Sequence, residues 1–285
     1  MGTVSIGLAL SGGTAKSVAH IGVIKALEES GITIDYLSGT SGGSIVAVLY
    51  AAGRSIDELA QLAEGMRWRK LAGLTLPKLG LLSSEKIREF IVDAVGDLDF
   101  DQLRIPTAVV AADLTTGMKK VFREGKVALA CQASSSIPEI YCPVEIDGHC
   151  VVDGGLIEYL PVETLASFGE IFKIGVNLGK NEGILRSKPR HLLEVIMQVT
   201  GFVSQQNATI SGRKADFIIS PDLERFGAFA LHRASDIITA GYIEALKVLP
   251  QLHGAIRSYR SLSNRLKRLR RSLFTALSPS HQDIQ

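Results

Sequence analysis

Short apolar runs broken by glycine alternate along this chain with longer stretches that repeat apolar residues every three or four positions. Val4–Leu10 (VSIGLAL) has no polar face and predicts a buried strand ending at Ser11-Gly12-Gly13. Ala15–Glu29 carries Val18, Ile21, Ile24 and Leu27 at helical spacing and stops at Gly31. Ile32–Leu37 predicts a second strand, and Ser44–Ala52 a second helix closed by Gly53. Ile56–Met66 and Ser84–Val95 are amphipathic helices, while Arg67–Leu82 has no clean period and reads as a lid or surface loop. Pro106–Asp113 is a buried strand with a hairpin partner at Met118–Arg123, and Asp147-Gly148 is a turn between Val144–Ile146 and Cys150–Val152. Glu170–Val176 and Ala215–Ile219 add strands; Leu192–Ile210 and Ser235–Leu249 add long helices. Strands alternating with helices predict an α/β fold of three layers, a mostly parallel sheet flanked by helices.

The 46% hydrophobic content of the 285 residues is enough for a sizeable core. Cys131, Cys142 and Cys150 are odd in number and lack C-x-x-C spacing, which argues against a disulfide framework or a zinc site. The first residues lack a basic segment and no run of 18 apolar residues occurs, so a cytoplasmic location is expected, without leader or membrane span. Net charge is +2, but Ala255 onward holds seven Lys/Arg against one acid, about +6, leaving about −4 on residues 1–254. That asymmetry divides the chain into a body, 1–254, and a basic tail, 255–285. Tyr259, Leu262, Leu266, Leu269, Leu273 and Leu277 recur at three- and four-residue steps in the tail, predicting a basic amphipathic helix. It could pack on the body or a second copy, or lie on an anionic membrane surface at the inner membrane face through 255–277. No base-reading motif accompanies the charge, so nucleic acid is not expected as a partner.

Candidate chemistry begins with Gly39-Thr40-Ser41-Gly42-Gly43, a serine in a glycine turn between predicted strand and helix. This is the context a nucleophile elbow requires, with the helix N-terminus directed at any anion formed on Ser41. The other reading is a serine-rich loop capping a helix. A nucleophilic serine needs a base. Of the six histidines only His149 stands near another chemical signal, Asp153-Gly154-Gly155 at the end of an apolar strand. A desolvated aspartate there could serve as base, or the segment could be a plain Asp-Gly turn. Gly12-Gly13-Thr14-Ala15-Lys16-Ser17 offers backbone N–H groups to an oxyanion. It fails as a phosphate loop, since Leu10 holds the place of the first glycine and Ala15 stands before Lys16.

These signals, in this order, resemble the patatin-like phospholipase family over about Val4 to Leu249. LALSGGTAKSVAHIGVIKALEE resembles its oxyanion-loop segment, LSGTSGGSIVAVLYAAG its elbow, ASSSIPEIYCPVEIDGHCVVDGGLIEYLPV the stretch into its D-G-[GA] motif, and DFIISPDLERFGAF its late strand and loop. The resemblance implies a serine–aspartate dyad: Ser41 as nucleophile, Asp153 as general base. The oxyanion hole would come from Gly12, Gly13 and Thr14, with Lys16, Gly39, Gly43, Gly154 and Gly155 supporting it. It implies hydrolysis of lipid acyl esters through an acyl-enzyme, with neither metal nor cofactor. The family loop reads G-G-G-x-[KR]-G; here Thr14 and Ser17 replace two glycines. A positive φ at Thr14 would strain a threonine and misdirect donors. Two alternatives therefore stay open: a weakly active or inactive fold that binds membrane or partner, and a thioesterase or transacylase with the same dyad.

Overall fold

The computed structural model describes residues 4–67, 71, 73–74, 79–179, 188–189, 192–261 and 266. In chain order the elements are β1 (Ile6–Leu10), α1 (Ala19–Glu29), β2 (Tyr36–Thr40), α2 (Gly42–Ala51), α3 (Ile56–Glu64), β3 (Gly73–Leu74), β4 (Leu82–Ser83) and α4 (Glu85–Val95). Then follow β5 (Thr107–Asp113), β6 (Met118–Phe122), α5 (Val127–Ser134), β7 (Val144–Ile146), β8 (His149–Asp153), α6 (Gly155–Glu158) and α7 (Val162–Ala166). The chain continues through β9 (Phe172–Val176), α8 (Leu192–Gly212), β10 (Phe217–Ile219) and α9 (Ala234–Arg260).

The sheet runs β10-β9-β1-β2-β5-β8-β7, with β6 beside β5. From β10 to β5 every ladder is parallel, and β6, β7 and β8 add antiparallel pairs. β1 sorts its side chains by strand alternation. Ile6, Leu8 and Leu10 enter the large core shared with α1, α2 and α9, whereas Ala9 joins a second core with Leu160, Leu165 and Ala208. Helices therefore cover both faces, giving the expected three layers.

Several boundaries differ from the sequence reading, and the strand expected at Ile32–Leu37 begins only at Tyr36. β2 runs through Gly39 and Thr40 into the elbow, where a turn was expected. Pairing with β1 and β5 along both edges outweighs local glycine preference, and the buried Ser38 and Thr40 hydroxyls donate to the carbonyls of Pro161 and Glu158 at 2.7 and 2.8 Å. α2 starts at Gly42, two residues early, and Thr14–Val18 form a 3-10 turn before α1. α9 continues eleven residues past Leu249, through Pro250, to Arg260. Pro250 is exposed, so water can satisfy the carbonyl its ring frees, while the buried Leu252 and Ile256 hold the helix down. The division at 254/255 thus falls inside a continuous helix. Most of the 68–78 stretch, and the tail apart from 255–261 and 266, lie outside the described residues.

Candidate active site

Strand registers bring Ser41 and Asp153 together. β6 pairs with Val109–Asp113 of β5, overlapping β2 at Val109 and Val110 and β8 at Ala111–Asp113. Since β6 occupies one edge of β5, β2 and β8 must share the other. β2 runs parallel to β5 and ends with Thr40 opposite Val110; β8 runs antiparallel and ends with Asp153 opposite Ala111. The two strands point at each other along one edge, and Ser41 and Asp153 stand where they meet.

Ser41 is the N-cap of α2, with φ 52° and ψ −132°, a conformation costly for any residue with a side chain. The elbow is held by close contacts and hydrogen bonds. A methyl group added to Gly43 would lie 2.4 Å from the Leu10 carbonyl oxygen, and one on Gly39 2.5 Å from Ser44 Cα, so β1, β2 and α2 interlock only with glycine there. Ser41 N–H donates to Ser134 Oγ at 2.8 Å, and Ser134 Oγ–H donates to Val110 O. Ser134 is fully buried and ties the Ser41 backbone to β5. Nothing in its local pattern distinguished it from the serines beside it.

Asp153 is buried, and burial pushes its carboxyl up to about 6, against hydrogen bonds from the Ser41 side chain and the Gly155 N–H. The Gly155 contact, to Asp153 Oδ1, is 2.8 Å. Gly154 has its α-carbon against β5, where a methyl group would lie 2.3 Å from Val110 O.

No described histidine serves Ser41. His149, at the far end of β8, bonds Asp113 through Nδ1 at 2.8 Å. His20 is fully buried; desolvation pulls its pKa down to about 4 although a hydrogen bond to the Ser11 backbone opposes this. The neutral ring supports the loop after β1 through Nε2 and the Ser11 carbonyl, 2.8 Å apart.

That loop corrects one expectation. Gly12 N–H is committed to Tyr159 O at 3.1 Å, so it is not open to an oxyanion. Gly12 instead admits the Tyr159 ring, whose Cε2 would sit 2.8 Å from a methyl group there. Gly13 and Thr14 line the pocket with Ser41 and Asp153, and neither N–H has a partner among the described residues. Thr14 does adopt positive φ, 47°. Its hydroxyl is anchored to Ala228 O, and Ser17 Oγ donates to Thr14 O. The two side chains that depart from glycine thus tie the loop down at its strained point. Lys16 is buried at the same pocket. α8, which carried no chemical signal in sequence, contributes Thr200, Gly201 and Ser204 to the lining.

A family model described as patatin-like phospholipase matches residues 8–166, more than half of the chain, and spans the loop, the elbow and Asp153. The chain belongs to the patatin-like phospholipase family. An uncharacterised NTE family protein of Mycobacterium tuberculosis is 38% identical over 180 residues, covering 62% of this chain and 50% of the relative. Patatin-like phospholipase domain-containing protein 6 of Homo sapiens is 31% identical over 188 residues, 62% of this chain and 14% of that protein. This patatin-like chain therefore corresponds to about half of the mycobacterial relative and a small part of the human one. VipD from Legionella pneumophila shares the fold, with a TM-score of 0.59 at 14% identity over 87% of this chain and 67% of VipD. Family membership supports a lipid hydrolase. Among the described residues no helix is long and apolar enough to cross a membrane, and no three His, Cys, Asp or Glu are grouped as metal ligands.

Proposed function

We propose that this chain hydrolyses carboxylic esters of lipids with Ser41 as nucleophile and Asp153 as general base. The observation that carries the reading is the meeting of a strained Ser41 with a buried aspartate whose pKa is pushed up to about 6 by burial, with the Ser41 side chain acting against that shift. A carboxylate of that basicity is ionised at neutral pH yet a better proton acceptor than an exposed one.

Ser41 Oγ attacks the ester carbonyl carbon and its proton passes to Asp153. Gly13 and Thr14 N–H, with the Gly42 N–H opening α2, would receive the oxyanion. Collapse breaks the carbon–oxygen bond, and the leaving alcohol takes the proton from Asp153. Water then attacks the acyl-enzyme with Asp153 again accepting a proton, releasing the acid and returning the proton to Ser41 Oγ. The basic stretch 255–277 would add attraction to anionic lipid at about 1 kcal/mol per Lys/Arg near the surface.

Labelling with a fluorophosphonate, mapped by mass spectrometry, tests the assignment. Modification is expected at Ser41, absent in Ser41→Ala and strongly reduced in Asp153→Asn. Folded protein that stays unlabelled between about pH 6 and 9 would return the reading to a catalytically silent fold. Turnover of acyl thioesters in preference to oxygen esters would favour the thioesterase form of the same dyad.

A further inference from the structure

Ser41 stands between two cavities. The first holds Asp153, Thr14, Tyr159 and the α8 residues. The second, about 760 Å³ including its mouth, starts at Thr14, Ser41 and Gly42 and continues between α2, α3 and α4. No Asp, Glu, Lys, Arg or His lines it; apart from Tyr141, its polar side chains are hydroxyls of the Thr14, Ser17, Ser41 and Ser135 type. The remaining walls are hydrocarbon, among them Ile45, Leu49, Leu59 and Ile87.

A third cavity, a charged surface groove edged by Arg54, Glu58, Lys86 and Asp93, lies on the outside of α3 and α4. Leu62, Met66 and Phe90 line both this groove and the apolar cleft. All three are half-buried, as residues with one side to each space should be. As the residues common to both linings they form the partition between the two spaces, and methionine is the most adaptable of the apolar side chains.

We infer that the apolar cleft receives the acyl chain of the substrate and that the Leu62–Met66–Phe90 partition sets the longest chain accepted. The inference rests on the proposed hydrolase reading and specifies its substrate side. An ester whose carbonyl sits at Ser41 has one cavity matched to hydrocarbon and one with polar groups, so acyl and alcohol parts sort by chemistry. Chains that reach the partition must move it or stop there. Each methylene short of it raises kcat/KM about fourfold, the equivalent of about 0.8 kcal/mol.

The test uses the full chain and p-nitrophenyl esters from acetate to hexadecanoate, read within each variant as the ratio of long-chain to butyrate kcat/KM. Phe90→Ala, and the milder Phe90→Leu or Met66→Ala, should extend the preferred length and raise the longest-chain ratio about tenfold. Ile45→Trp, which narrows the cleft near Ser41, should shorten the preferred length and lower that ratio by a similar factor. Serine-dependent turnover with a length profile unmoved by any of these variants overturns the inference while the hydrolase reading stands. If no ester is turned over, calorimetric titration of oleate into the Ser41→Ala protein decides. Binding abolished by adding Ile45→Trp keeps the cleft as a fatty-chain site without the hydrolase, and absence of binding overturns both.

Discussion

At the residue scale, the site depends on costs borne by three residues. Ser41 and Thr14 both carry positive φ, 52° and 47°, in a chain whose other such residues are mostly glycines. Asp153 carries an electrostatic cost, its pKa raised to about 6 chiefly by burial. The sign for activity is plain: the base must be ionised, so kcat/KM should rise with pH through about 6 and lose that step in Asp153→Asn. The sign for stability is opposite. The folded carboxyl binds its proton more tightly than the unfolded one, so its contribution is full below the unfolded pKa and is lost as pH rises through the folded value. Asp153→Asn should therefore be more stable than wild type above about pH 6, by up to about 3 kcal/mol, with the difference vanishing in acid. Urea melts of both proteins at pH 5 and about 8 check this; an unchanged gap between them would remove the electrostatic argument.

At the element scale, α1 and α9 pack on one another more closely than side chains allow elsewhere. A methyl group on Gly22 would sit 2.0 Å from the Ile238 carbonyl oxygen, and one on Gly241 would sit 2.1 Å from the Ala19 carbonyl oxygen. Backbone occupies both places, so no rotamer change can make room. Gly22→Ala and Gly241→Ala should each cost about 1–3 kcal/mol by forcing the helices apart. Thermal denaturation should register either one as a clear drop in Tm, and no drop would mean the helices separate freely. The contact matters to the site because α1 follows directly from the loop that carries Thr14, while His20 on α1 bonds the loop's first carbonyl. α9 thereby braces the loop that carries Gly13 and Thr14 from behind.

At the scale of the whole molecule, Glu158 joins segments far apart in sequence. Its buried carboxylate accepts from Lys119 Nζ at 2.9 Å, from the Glu163 and Thr164 N–H groups at 2.8 and 3.0 Å, and from Thr164 Oγ1. Its carbonyl accepts from Thr40 Oγ1, the residue before Ser41. The antiparallel hairpin of β5 and β6, the α6–α7 corner and the end of β2 meet at this one residue. Glu158→Ala would leave buried donors unmet and should cost about 2–4 kcal/mol. Glu158→Gln, which keeps one acceptor, should cost less; equal denaturation midpoints for the three proteins would refute the assigned role. The loss should also loosen the elbow, seen as slower fluorophosphonate labelling of Ser41.

The amino-acid order by itself determined the α/β class, most elements to within a few residues, the serine turn and the Asp-Gly-Gly segment. These depend on local periods of hydrophobicity and on glycine, which a chain displays before it folds. Only the tertiary structure decided that β2 and β8 meet head to head on β5, because that register comes from long-range pairing, across 70 residues from Thr40 to Val110 and 42 from Ala111 to Asp153. Local residues left the base open between His149 and Asp153, and only packing placed Asp153 against Ser41 while pairing His149 with Asp113. Gly12 has the local context of an oxyanion donor, but Tyr159, 147 positions later, takes its N–H. Pro250 looked like a helix end until burial of Leu252 and Ile256 outweighed its missing hydrogen bond. The cleft beside Ser41 has no sequence signature at all. Its walls come from helices whose apolar faces read as ordinary core, and a cavity is where such faces fail to touch, a property of packing rather than of pattern.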